Sequence, residues 1–215
     1  RREFNQHLQR SAIALALAPW FSAVVAATDQ PRSWQTNPFA LGVASGRPRA
    51  DSVVLWTRLL FSDADRATGT EALRVQVEVF ADAALKRRVQ KLEVLTHDAR
   101  AHSVHVHVQR LQSSTDYWYR FTQGDAQSTV GHTRTAPAPN ADVRELRVAL
   151  SSCQHYEQGQ YIAHAEIAKQ TLDFVLFMGD YIYESSNPQY AIRKHSGEEP
   201  KTLPQYRERY EQYKR

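Results

Sequence analysis

The sequence predicts a multidomain β plus α/β chain, a β-sandwich followed by the start of an α/β domain. Three observations predict it. Short runs of period-two alternation separated by turn residues fill residues 52–135. A stretch with two prolines then interrupts the chain at 135–141. Beyond it the pattern becomes apolar strand, helix, apolar strand.

The first 27 residues read as an export address rather than as part of the fold. Arg1, Arg2, Glu3 and Phe4 open a polar region, and Ser11–Ala27 carries no charge. Val25 and Ala27 place small side chains at −3 and −1 of a cleavage site. The 17 uncharged residues, broken by Pro19 and Ser22, fall short of the roughly 18–20 apolar residues a spanning helix needs, so no stable membrane anchor is expected. An ordinary secretory signal would carry a more strongly apolar centre. The paired arginines followed by Glu3 and Phe4 resemble a twin-arginine export signal.

Ser52–Leu59 is a β-branched and aromatic run. Leu73–Phe80 alternates without a break, and Ser103–Val108 places Val104, Val106 and Val108 on one face. Tyr117, Tyr119 and Phe121 repeat the pattern, and Thr129–Thr135 adds a further strand. Turn residues separate them at Gly46–Pro48, Ala67–Gly69 and Gln123–Asp125. Such spacing without a helix-length run predicts a sandwich. His105 and His107 face away from the valines and read as a solvated sheet face rather than metal ligands. Leu111–Tyr117 resembles the L-x-P-x-T-x-Y corner of fibronectin type III modules, with Ser113 in the proline position. In that corner the Tyr hydroxyl satisfies a backbone group.

Thr135–Ala141 suits neither helix nor central strand. Leu146–Leu150 then predicts a strand and Gly159–Thr171 a helix, with Tyr161, Ala165, Ala168 and Leu172 on one face. Leu172–Met178 is nearly continuously apolar, as a strand covered on both faces would be. The helical run Gln205–Arg215 carries Tyr206, Tyr210 and Tyr213 as a stripe suited to docking on a sheet, and Arg193–His195 reads as an exposed charge run.

Polar residues with ligating chemistry gather at the carboxyl ends of the two α/β strands. The first ends in Ser151–His155 and the second in Gly179–Glu184. Ligands of open α/β sheets collect outside these strand ends, so Cys153 and Asp180 are expected to approach one another. Asp180 offers a hard oxygen that can bridge two cations. The Tyr183 phenol becomes an anionic ligand only beside a strong Lewis acid such as a ferric ion, which a Cys153 thiolate would also suit. A different reading makes Cys153 a nucleophile with His155 as its base, and another makes the sandwich an extracellular binding module.

Composition bounds the alternatives. The 215 residues are 42% hydrophobic and 23% charged, which excludes wholesale disorder. The net charge is +4, of which residues 1–27 hold +2 (Arg1, Arg2 and Arg10 against Glu3), leaving too little for a nucleic-acid partner. The single Cys excludes an intrachain disulfide framework.

Six motifs occur in order: Asn37–Gly46, Asp51–Arg58, His102–Val106, Tyr117–Phe121, Ser152–Gln154 and Gly179–Glu184. Together they resemble the PhoD-type alkaline phosphatases, exported phosphomonoesterases and phosphodiesterases. The resemblance implies residues 1–27 as twin-arginine signal, 28–136 as fibronectin III-like β-sandwich and 137–143 as linker. Residues 144–215 would be the N-terminal part of an α/β metallophosphatase domain that uses ferric iron (Fe3+) and calcium (Ca2+). Carried over by position, Cys153 and Tyr183 would ligate iron and Asp180 would bridge iron and calcium. Phosphate esters would be the substrates and the twin-arginine translocase a partner during export. The family's further Asp, Asn and His ligands, its phosphate-binding Arg and its Trp-Asp-Asp-His-Glu-like stretch do not occur before Arg215. The chain is therefore expected to be a catalytically silent N-terminal part of the enzyme.

Overall fold

Alternation along the strands builds the first half of the protein. The computed structural model describes residues 32–67 and 72–215. The export address at 1–27, and Thr68 and Gly69 of one expected turn, lie outside the described residues. A three-stranded sheet joins β1 (Val43–Gly46), β2 (Val53–Arg58) and β5 (Ser103–Val108) in the order β1-β2-β5. The facing sheet orders β4 (Arg88–Thr96), β3 (Leu73–Phe80), β6 (Asp116–Gln123) and β7 (Ala126–Gln127), and β8 (Gly131–Arg134) pairs with β6. All these pairs are antiparallel. A short helix, α1 (Asp63–Ala67), follows β2.

Val53 and Leu55 meet Val75, Val77 and Val79 across the core, with Val104, Val106 and Val108 beside them and Tyr117, Tyr119 and Phe121 from β6. Each such aliphatic burial contributes roughly 1.5–3 kcal/mol. His105 and His107 point to solvent, as the alternation requires. At Gly131 a Cβ would lie 2.2 Å from the Tyr119 ring, so only glycine lets β8 approach β6 this closely. The expected tyrosine corner forms: the Gln112 amide donates to Tyr117 Oη at 2.8 Å. Strand β4 alternates in burial but places Val89 and Leu95 on its exposed face, and its exposed Arg88, Lys91 and Glu93 suit a sheet edge.

The α/β half begins with β9 (Val148–Ser151), which pairs in parallel with β10 (Phe174–Phe177) in the register Val148↔Phe174 to Ser151↔Phe177. The crossover helix α2 (Ile162–Ala168) is shorter than the expected 159–171, because Tyr161 adopts a left-handed backbone (φ 58°) and helical geometry starts only after it. The expected Tyr161–Leu172 face is not buried, and no α2 residue is. The apolar run of β10 predicts cover on both faces. Instead Phe174, Val175 and Leu176 are 40–47% exposed, since a two-stranded sheet offers little surface to cover them.

Two further expectations are corrected by α3 (Leu203–Tyr213). Its tyrosines do not dock on the α/β sheet of β9 and β10. Tyr213 is buried against the rings of Tyr156 and His195, while Tyr210 stacks on Tyr181 and meets Trp56 of the sandwich. Arg58 Nη2 reaches Glu211 Oε1 at 2.6 Å, and Arg207 donates to the Ala99 carbonyl at 2.8 Å, so the helix bridges the two halves. Nor is Arg193–His195 an exposed run. The His195 side chain is only 2% exposed, and the Arg193 guanidinium sits 3.7 Å over the Tyr156 ring. Aromatic neighbours supplied from elsewhere in the chain cover both in part, and only Lys194 is exposed.

Beneath them lies Glu157, 1% exposed, whose carboxylate accepts from Ser186 Oγ at 2.7 Å, the Asn187 amide at 2.7 Å and the His195 amide at 3.0 Å. Burial alone would raise its pKa. Those donors outweigh burial and hold it at about 2. Burial, then the charge of Arg209, lowers His195 to about 4 against the opposing pull of Glu157, with His155 and Arg193 adding to the lowering.

Two predictions follow from this packing. Tyr117→Phe deletes the corner bond and should cost about 1 kcal/mol in chemical denaturation; an unchanged midpoint would show the corner to be idle. The buried pair makes the fold acid-sensitive. The unfolded chain binds the extra proton between pH 6.5 and about 4 for His195, and between pH 4.5 and about 2 for Glu157. Stability should therefore fall as pH drops through these windows, and Glu157→Gln should flatten the lower one. Identical pH profiles for the two proteins below pH 4.5 would contradict the assignment.

Candidate metal centre

Because β9 and β10 run in parallel, their carboxyl ends open on the same edge. The pairing continues past the strands. Met178 donates to the Ser151 carbonyl at 2.8 Å, Cys153 to that of Gly179 at 3.1 Å, and Gln154 to that of Asp180 at 3.2 Å. To make these bonds the chain turns sharply, with φ of 55° at Cys153, 138° at Gly179 and 53° at Asp180. Glycine adopts such a backbone freely, whereas a side-chain-bearing residue gives up about 1–2 kcal/mol. The two strained residues are the two whose side chains the turns aim at one another.

Cys153 Sγ lies 3.5 Å from Asp180 Oδ2, and Tyr183 Oη donates to the same oxygen at 3.0 Å. All three residues singled out from the sequence therefore converge on one carboxylate oxygen. Their interactions act on the phenol: the contact with Cys153, then burial, then the hydrogen bond and charge of Asp180 hold Tyr183 above its ordinary value of 10. A cation among these three groups would reverse that balance, since it favours thiolate, phenolate and carboxylate together. The donor set, one sulfur and two oxygens, suits a cation of borderline to hard character. Among the described residues no group of three or more His, Cys, Asp or Glu side chains is arranged to hold a metal; the trio's third donor is the phenol.

Around the trio, Gln154 Nε2 donates to the Tyr181 carbonyl at 2.7 Å while its Oε1 meets His164 Nε2 at 2.8 Å, tying both loops to α2. The His155 ring is directed away from the Cys153 thiol, which does not favour the nucleophile–base reading. Its Nδ1 accepts from the Glu157 amide at 3.3 Å and its ring packs 4.6 Å from that of Tyr183, while the thiol is directed at Asp180. The Tyr183 amide donates to Tyr213 Oη at 3.0 Å, and the Tyr183 and Glu184 carbonyls each accept from Arg209 Nη1 at 2.8 Å. Sequence reasoning missed Glu157, His195, Arg209 and Tyr213. The tyrosine stripe on α3 was visible, but no periodicity says that Arg209 lies beside it with a backbone loop as its partner.

Residues 24–137 match the PhoD-like phosphatase N-terminal domain family, and residues 148–215 match the PhoD-like phosphatase family. Alkaline phosphatase D of Bacillus subtilis (strain 168) is 40% identical over 222 residues, covering 100% of this chain and 38% of the relative. A solved structure of PhoD superposes with a TM-score of 0.80 at 41% identity, over 85% of this chain and 36% of that one. The chain thus spans little more than a third of the length of either relative. With both halves matched in order and the strand-end turns formed, the chain belongs to the PhoD-like phosphatase family.

Proposed function

We propose that this chain is the N-terminal part of an exported, metal-dependent alkaline phosphatase and phosphodiesterase that hydrolyses phosphate esters. The observation that carries the reading is the convergence of Cys153 Sγ and Tyr183 Oη on Asp180 Oδ2, in a chain 40% identical to alkaline phosphatase D. Cys153 and Tyr183 would hold Fe3+, and the Asp180 carboxylate would serve both that ion and Ca2+. When bound, the cations polarise the phosphate oxygens and neutralise charge gathering at phosphorus. The chain's own residues prepare that chemistry. Asp180 keeps the thiol and phenol within reach of a single point, and the phenol proton of Tyr183 must leave before the oxygen can ligate. The turns at Cys153 and Asp180 fix the thiol and the carboxylate on the rim of the sheet.

The division into signal (1–27), sandwich (28–136), linker (137–143) and phosphatase part (144–215) belongs to the same reading. So does export by the twin-arginine route to the periplasm or beyond. No helix of the described residues is long and apolar enough to cross a membrane. Three donors do not close a coordination sphere, so residues 28–215 alone should be catalytically silent, the other ligands coming from elsewhere in the whole enzyme.

In the full-length protein supplied with iron and calcium, a chromogenic phosphate ester should be hydrolysed. Asp180→Asn and Cys153→Ser should each lower kcat/KM by at least the roughly 10–100-fold that losing a hydrogen-bond partner of a metal ligand costs. Tyr183→Phe should shift or abolish a visible ligand-to-metal charge-transfer band; an unchanged spectrum and iron content in that variant would overturn the ligand assignment. Replacing Arg1 and Arg2 by lysine should block export of the folded enzyme, whereas undiminished export would favour ordinary secretion.

A further inference from the structure

We infer that Arg209 and Tyr213 of α3 are positioning residues for Tyr183, fixing its main chain so that the phenol meets Asp180; this rests on reading Tyr183 as a metal ligand. A tyrosine in a loop reaches a ligand point only if the loop itself is fixed, because its side chain turns freely about two bonds. Here both backbone polar groups of Tyr183 are taken by α3. The amide donates to Tyr213 Oη at 3.0 Å, and the carbonyl accepts from Arg209 Nη1 at 2.8 Å. Arg209 Nη1 holds the next carbonyl, that of Glu184, at 2.8 Å as well.

The two holders stand four residues apart, hence on one helix face, and each is 4% exposed. One imidazole joins them: His195 Nε2 lies 3.1 Å from Tyr213 Oη and its Nδ1 3.2 Å from Arg209 Nη1. His195 is in turn seated by its amide on the buried Glu157 carboxylate at 3.0 Å. The helix that carries the holders is fixed at both ends of its length. Gln205 Oε1 accepts from the Thr202 amide at 2.9 Å in a capping box, and Glu211 pairs with Arg58 of β2 at 2.6 Å. An unbroken set of contacts therefore runs from the sandwich through α3 to the Tyr183 backbone.

Tyr213→Phe removes only the hydroxyl and keeps the ring against Tyr156 and His195. Arg209→Lys keeps the charge and loses the planar fork. In the full-length protein without added metal, amide hydrogen exchange across residues 181–187 should quicken about tenfold in either variant, the effect of losing one buried hydrogen bond, while exchange in β2 and β3 stays as in the parent. With iron and calcium added, each variant should retain less iron, and its charge-transfer band should move in the same direction as that of Tyr183→Phe. The kcat for a phosphate ester should fall with KM little changed. Parental exchange, iron content and spectrum in both variants, against a changed Tyr183→Phe, would overturn the positioning role alone. If Tyr183→Phe itself leaves iron and spectrum unchanged, the ligand reading falls and the inference with it.

Discussion

Two main-chain hydrogen bonds, Cys153 N to Gly179 O and Gln154 N to Asp180 O, govern the arrangement of the site. They extend a parallel pairing beyond the point where either strand keeps extended geometry. The cost is a left-handed backbone at two residues with side chains. The return is geometric: a thiol from one turn and a carboxylate from the other face one another at 3.5 Å. Neither turn could hold this conformation alone, because each supplies what the other's amide or carbonyl lacks.

The rest of the molecule limits the freedom of that rim. The Tyr183 backbone is bonded from behind by Arg209 and Tyr213, and Glu157 seats the chain around Ser186, Asn187 and His195. A buried carboxylate with several donors is expensive to leave unpaired, so this base resists local rearrangement. The sandwich contributes at a distance, through Arg58 on Glu211 and Trp56 on Tyr210. Through these contacts the β-sandwich braces the helix α3 that touches a loop of the α/β half.

The sandwich was legible in the sequence because strand periodicity and core packing coincide there: Leu73–Phe80 and Ser103–Val108 form strands over the expected residues. Strand β4 was not legible, since its edge position leaves only Leu92 and Val94 packed against the core. The convergence of Cys153, Asp180 and Tyr183 followed from the parallel strand ends and the Gly-Asp turn, and the resemblance gave those residues roles that spacing alone left open. Arg193–His195 misled because its charges suggest solvent, while the aromatics that bury it come from Tyr156, Tyr161 and Tyr213. Contacts between distant segments set that burial, and local pattern carries no trace of them. The helix α2 fell short at Tyr161, whose left-handed backbone lies where its ring packs beside those of His164 and Tyr213.

The most direct measurement is a crystal structure of the full-length protein with iron and calcium, with anomalous scattering recorded at the iron edge. An iron peak within bonding distance of Cys153 Sγ, Asp180 Oδ2 and Tyr183 Oη, beside a calcium sharing Asp180, is the predicted result. An iron peak that touches none of these three atoms, with the two strand-end turns unchanged, would contradict the account.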